Sequence, residues 1–174
     1  MKSRYFLKAA WVFFLLTGSI LMAHGQDINL RMMQFEGLTL VSSSAEIQEL
    51  LGTPIKVYEP NYECGGLSAE WQAQPIFSLV YEDITFTGNK SWGYVIEEIR
   101  FGGNKEYVLT YGEFTLDENT KADKLLAIFG KEIQITPFEN GISRVFIPDS
   151  ACDEGLEIEL KNGKLSKITY WTPC

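Results

Sequence analysis

A weak internal repeat relates two stretches of this chain and suggests one local architecture for both halves. Leu38-Thr39-Leu40 leads into Ser42-Ser43-Ser44-Ala45-Glu46-Ile47-Gln48-Glu49-Leu50-Leu51-Gly52, and Phe114-Thr115-Leu116 leads into Thr120-Lys121-Ala122-Asp123-Lys124-Leu125-Leu126-Ala127-Ile128-Phe129-Gly130. The offset is 76 residues from Leu38 to Phe114 and 78 from Gly52 to Gly130, so the second copy carries two extra residues at the turn. A unit that recurs at a fixed spacing is read before any single element, because missing it misreads the whole fold.

Each copy reads as a strand, a short helix and a glycine stop. Ser43 with Glu46, and Thr120 with Asp123, have the capping-box spacing, in which a hydroxyl takes one orphan amide and a carboxylate reaches back for another. Ile47, Leu50 and Leu51 fall on one helical face, as do Leu125, Ile128 and Phe129. Gly52 and Gly130 stand where a helix ends, and Pro54 forbids continuation after the first.

Beyond each helix the periodicity changes to two and β-branched and aromatic residues take over. The pattern predicts strands near Ile55–Tyr58, Ile76–Tyr81, Ile84–Thr87 and Gly93–Phe101 in the first copy. In the second it predicts Glu132–Thr136, Ser143–Ile147, Leu156–Leu160 and Lys164–Trp171. Turn signals at Thr87-Gly88-Asn89, Gly102-Gly103-Asn104, Glu139-Asn140-Gly141 and Asn162-Gly163 separate them, and short loops imply antiparallel pairing. The fold class is therefore α+β: a first αβ repeat over 26–106, with an insertion at 59–73, and a second over 107–174.

The start of the chain reads as an export signal. Lys2, Arg4 and Lys8 precede an apolar stretch from Ala9 to Ala23 that ends in small residues, and Thr17-Gly18-Ser19 interrupts the stretch before it reaches the ~20 residues of a spanning helix. Cleavage near Gly25 is expected, leaving a secreted or periplasmic chain with no membrane insertion. No cysteine stands near that point to take an acyl anchor.

Removing residues 1–25 takes away three basic residues and no acidic one. The counts of 15 basic and 23 acidic residues become 12 and 23, a net charge of −11. Such a chain repels nucleic acid and anionic lipid and favours basic partners. The single histidine, His24, leaves with the leader. Hydrolase triads, histidine general bases and histidine-bearing zinc or copper sites go with it. The carboxylate pairs Glu82-Asp83, Glu97-Glu98 and Asp153-Glu154 do not replace them, since strand neighbours point to opposite faces. No catalytic residue, metal site or cofactor is implied, and a binding module is expected instead.

A short helix ending in Leu-Gly-x-Pro in the first copy and in Phe129-Gly130 in the second, where Lys131 stands in place of an expected proline, followed each time by antiparallel strands in an exported chain, resembles the β-lactamase-inhibitor-protein-like fold. One copy is similar to the outer-membrane lipoproteins of the SmpA/OmlA type. Ile47, Leu50, Leu51, Gly52 and Pro54 carry the resemblance, with Leu125, Ile128, Phe129 and Gly130 in the second copy. It implies two sheets in tandem with a concave face that grips another protein. It does not imply β-lactamase as the target, because none of that inhibitor's contact residues matches a position here. An inhibitor or immunity-type protein is the leading expectation, a structural component of the cell envelope the alternative.

Cys64, Cys152 and Cys174 remain in an oxidising compartment. Leu156, Ile158 and Leu160 on one strand and Ile168 and Tyr170 on the next place even with even across the last hairpin, so Cys152 and Cys174 are expected to pair. Cys64 is then left as an exposed thiol, an intermolecular link or an inert buried thiol, or else exchanges into a bond with Cys152. Among the aromatics, Tyr62, Trp71 and Trp92 lie in loop-like, polar surroundings, which is where interface anchors are found. These three are the expected binding residues.

Overall fold

The computed structural model describes residues 27–131 and 133–174. The expected leader, residues 1–25, lies outside the described residues, as does Glu132.

A 3₁₀ turn, Leu30–Met32, opens into the hairpin β1 (Met33–Phe35) and β2 (Leu38–Thr39), then β3 (Val41–Ser42) and helix α1 (Ser44–Leu51). Four strands follow: β4 (Lys56–Tyr58), β5 (Phe77–Val80), β6 (Ile84–Asn89) and β7 (Gly93–Arg100), with the short helix α2 (Ala69–Gln72) between the first two. The chain continues as hairpin β8 (Leu109–Tyr111) and β9 (Phe114–Leu116), helix α3 (Ala122–Phe129), β10 (Ile135–Pro137), a second 3₁₀ turn (Glu139–Gly141), β11 (Ile142–Pro148), β12 (Gly155–Lys161) and β13 (Lys164–Trp171). All eight strands expected after the helices are present, with ends displaced by at most three residues.

The α1 capping box forms as its spacing predicts. Ser43 Oγ accepts from the Glu46 amide at 3.3 Å, and a Glu46 carboxylate oxygen accepts from the Ser43 amide at 2.8 Å. Those bonds hold the Glu46 carboxyl below its ordinary value. The second box does not form: Lys121 occupies the cap of α3 with no side-chain bond, and the Thr120 hydroxyl turns to Asp117 instead. Asp117 and Thr120 close their own turn, with the Thr120 amide donating to the Asp117 carbonyl at 3.0 Å, so the hydroxyl is spent before the helix begins. Both helices do end at their glycines, at φ 80° for Gly52 and 96° for Gly130.

The expected pair of sheets in tandem is not what the strands make. Hydrogen bonding produces one sheet in the order β2-β1-β8-β9 and a larger one in the order β10-β11-β12-β13-β7-β6-β5-β4, with β3 also on β7. Both halves contribute to each sheet. In the larger one β13 pairs antiparallel with β7, matching Ile168 with Ile99 and Thr169 with Glu98. Ile84, Ile99, Ile168, Ile158, Val145 and Ile135 line up as successive partners across six strands, and all but Ile135 are buried.

That row belongs to one continuous hydrophobic cluster. Ile47 of α1, Leu125, Ile128 and Phe129 of α3, and Met33, Phe35, Leu109 and Tyr111 of the smaller sheet are all in it. Edge-to-face aromatic pairs stitch the layers: Phe35 on Phe86 at 6.4 Å, Phe35 on Tyr107 at 5.1 Å and Tyr81 on Phe86 at 6.0 Å. Leu50 departs from the expected core face of α1 and is exposed, as are Ile55 and Val57 beside it in sequence and on β4.

Candidate functional site

The insertion between β4 and β5 is tied to the C-terminus by a disulfide between Cys64 and Cys174, with Cα atoms 5.0 Å apart. The expected Cys152–Cys174 bond is therefore corrected. The even-with-even register itself is present, as Leu156 faces Tyr170 and Ile158 faces Ile168. What fails is its extension: β12 starts at Gly155, and the Asp149 amide donating to the Glu154 carbonyl at 2.9 Å turns Cys152 off the ladder as an exposed free thiol. Asp149 holds this turn to the N-terminal segment, accepting from the Leu30 amide at 3.0 Å and the Ala151 amide at 2.8 Å.

The three expected binding aromatics have different surroundings. Tyr62 is half-buried against the core, and its hydroxyl donates to Glu97, whose other oxygen accepts from Thr87. Thr87 and the buried Ser78 share a further bond of 2.7 Å. Burial first and the Glu97 carboxylate second push the Tyr62 phenol far above its ordinary value. Trp92 also packs partly against the core, in the β6–β7 turn, where Asn89 Oδ1 accepts from its amide at 3.2 Å. Trp71 differs from both: it sits on α2 and is 76% exposed.

The segment that carries Trp71 is held at several points. The Trp71 amide donates to Ser68 Oγ at 3.2 Å, and Gln72 Nε2 donates to the Gly66 carbonyl at 2.7 Å. Leu67 is buried in the core cluster. Gly65 has φ +86°, and a Cβ there would stand 2.8 Å from Thr172 Oγ1 and 3.0 Å from the Pro173 carbonyl oxygen. Glycine at that position lets the insertion lie directly on the C-terminal segment.

A cleft of about 420 Å³ opens beside Trp71, lined also by Arg31, Gly65, Gly66, Cys152, Glu154 and Thr172 through Cys174. A neighbouring one of about 480 Å³ shares Arg31, Cys152 and Glu154 and adds Tyr170, Leu40 and Val41. Burial, reinforced by the Glu154 carboxylate, raises the Tyr170 phenol far above its ordinary value. Tyr62 and Trp92 line neither cleft.

The solvent face of the larger sheet carries alternating charges. Glu98 meets Arg100 at 2.8 Å and Lys167 at 4.0 Å; Lys167 meets Glu159 at 3.4 Å; and Arg144 meets Glu159 at 3.1 Å and Glu157 at 3.4 Å. Three cations and three carboxylates balance there although the chain is acidic. Phe146 and Trp171, both exposed, stack edge to face at 5.3 Å beside this ladder. Trp171, the last residue of β13, runs straight into the cleft-lining Thr172.

One rule of the sequence reading fails locally. Thr85 pairs with Glu98 and Phe86 with Ile96, so Glu97 is the extra residue of a bulge. Glu97 then reaches Thr87 and Glu98 reaches Lys167 on the same side of the sheet. Adjacent carboxylates share a face here, each already partnered. Among the described residues no group of three or more histidine, cysteine or acidic side chains is placed to hold a metal ion. No family model, no curated protein and no solved structure matches this chain, and the functional reading rests on the site's own geometry.

Proposed function

We propose that the chain is an exported protein-binding module of the inhibitor or immunity type, whose contact surface is built around Trp71 and the adjoining cleft. The observation that carries the reading is Trp71 itself: a 76% exposed tryptophan on a segment clamped by a disulfide, a helix cap and a buried leucine. A large aromatic this exposed contributes little to the core and is free to contact a partner. Fixing it in advance lowers the ordering cost of association, and tryptophan is the residue most enriched among energetic anchors. Trp171 and Phe146 extend an apolar strip toward the charge ladder, whose alternating signs fit a partner of matching register.

Export is supported by the basic-then-apolar start and by the disulfide. We further infer that the chain arose by tandem duplication of a unit made of a hairpin, a helix and four antiparallel strands. The recurring element order supports it, as does the meeting of the halves through matched strands, β1 with β8 and β7 with β13.

Affinity capture of the tagged protein from the cells that make it and from their neighbours tests the binding reading. A stoichiometric partner that loses activity on binding is expected. Trp71→Ala should weaken that complex by about 2 kcal/mol or more, roughly thirtyfold in Kd, without shifting the melting temperature. Recovery of envelope components instead would favour the structural alternative. Binding unchanged by Trp71→Ala would remove the surface proposed here.

A further inference from the structure

All three cysteines meet at one place. Cys152 and Cys174 line the cleft beside Trp71, together with Gly65 and Gly66, which directly follow Cys64. The Cys152 thiol donates to Glu154 Oε2 at 3.3 Å, and the other oxygen of that carboxylate lies 3.6 Å from where a Cβ on Gly66 would stand. A free, exposed thiol thus stands within one side chain of the loop that holds the disulfide.

The sheet register is the second, independent observation. Gly155 pairs with Trp171, and three more steps of the same ladder would set Cys152 opposite Cys174. The 149–154 turn on one side, and the course of Thr172 and Pro173 against Gly65 on the other, interrupt that ladder. Two partners for Cys174 are therefore within reach of one local rearrangement: the observed one, Cys64, and the one that the ladder would supply, Cys152.

We infer that these residues form an internal thiol–disulfide exchange site in which Cys174 is the shared sulfur. Cys152 gives its proton to solvent, and the thiolate attacks Cys174 Sγ. A Cys152–Cys174 bond forms as the Cys64–Cys174 bond breaks, and Cys64 leaves as a thiolate that takes up a proton. One disulfide is lost and one gained, so no oxidant or reductant is consumed. The exchange detaches the 59–73 insertion from the C-terminal segment while keeping that segment stapled to the 149–154 turn ahead of β12, and so loosens the mounting of Trp71. Partial desolvation raises the Cys152 thiol above its ordinary value; the Glu154 backbone opposes this and the Glu154 carboxylate adds to it, and the net rise keeps the exchange slow near neutrality.

The test uses the whole protein purified without reductant. Samples held at pH 7 and pH 8 are quenched in acid with a maleimide, digested, and read by mass spectrometry for labelled cysteines and linked peptides. At zero time the label should sit on Cys152. With time a Cys152–Cys174 peptide should appear together with label on Cys64, about tenfold faster at the higher pH and at a rate independent of protein concentration. Glu154→Gln should speed the reaction several-fold at pH 7, and Cys64→Ser should be isolated with the Cys152–Cys174 bond. Label confined to Cys152 in the native protein, with exchange seen only in denaturant, would overturn the inference. Linkage of Cys152 to Cys64 would overturn the assignment of Cys174 as the shared sulfur.

Discussion

Strands β4–β7 and β10–β13 are two four-stranded antiparallel runs of one sheet, and they treat their solvent faces in opposite ways. The first lays a segment of chain over its face: Tyr62 anchors to Glu97, and Glu97 to Thr87. The second leaves its face open and tiles it with Arg144, Glu157, Glu159 and Lys167. Exposed ion pairs of that kind contribute 0 to about 1 kcal/mol each and keep a flat surface soluble. A half-buried hydrogen-bonded strut that ends on the buried Thr87 resists loss more strongly, since a buried partner left orphaned costs about 1–3 kcal/mol. The covered half therefore carries the rigid mounting, and the rigid mounting carries Trp71.

The largest effect should come from what the two halves share. Phe86 is fully buried and touches Phe35 and Tyr81, so Phe86→Ala should destabilise by about 3–5 kcal/mol. Because the row from Ile84 to Ile135 crosses both halves, urea unfolding followed by tryptophan fluorescence and by far-ultraviolet circular dichroism should give one coincident transition, shifted as a whole. Two separated transitions would break the picture of a single cooperative sheet.

The next effect should separate the halves. Cys174→Ser opens a covalent link of sequence separation 110 and should cost about 2–5 kcal/mol, the usual range for a native disulfide. Limited proteolysis should then cut within residues 59–73 first, while amide exchange in β11 and β12 stays protected. Equal loss of protection in both halves would show that the clamp serves the whole sheet and not the insertion.

Alkaline pH should also act on the covered half. The Tyr62 phenol is raised above its ordinary value of 10 in the fold, so the unfolded chain ionises first. The stability it contributes is fully present below pH 10 and is lost as pH rises beyond it. Urea midpoints compared at pH 8 and pH 11 should fall for the native sequence and fall less for Tyr62→Phe. Tyr170, raised in the same direction, leaves a residual slope in that variant.

Local rules read this chain well wherever the backbone obeys one periodicity from end to end. The eight strands, the Ser43–Glu46 box and the even pairing of Leu156 with Tyr170 were all legible in this way. Each failure has a backbone cause. Cys152 left its ladder because Asp149 and Glu154 close a turn, Glu97 and Glu98 came to one face because a bulge adds a residue, and Thr120 was diverted by Asp117. The meeting of Cys64 with Cys174, 110 residues apart, rests on how the insertion folds back over the sheet, and no periodic signal runs through residues 59–73. Tyr62, Trp71 and Trp92 looked alike in sequence for the same reason: a loop's polarity does not say which of its aromatics turns inward.

The smallest test concerns the helices α1 and α3, of which only the first has a bonded side-chain cap. At α1 a hydroxyl and a carboxylate satisfy two amides; at α3 Lys121 has the extended backbone of a cap, φ −105° and ψ 167°, but no acceptor to offer. Ser43→Ala should therefore cost about 1 kcal/mol, and Lys121→Ser should gain about 0.5 kcal/mol by giving the α3 amides the acceptor they lack. The Lys121 side chain is exposed, and the backbone bridge from Lys121 to Lys164 does not depend on it. A melting temperature that rises in Lys121→Ser and falls in Ser43→Ala would show that the two helices obey the same end chemistry and differ only in having it filled. No gain in Lys121→Ser would mean that Thr120 and Asp117 already hold the start of α3 as firmly as a cap would.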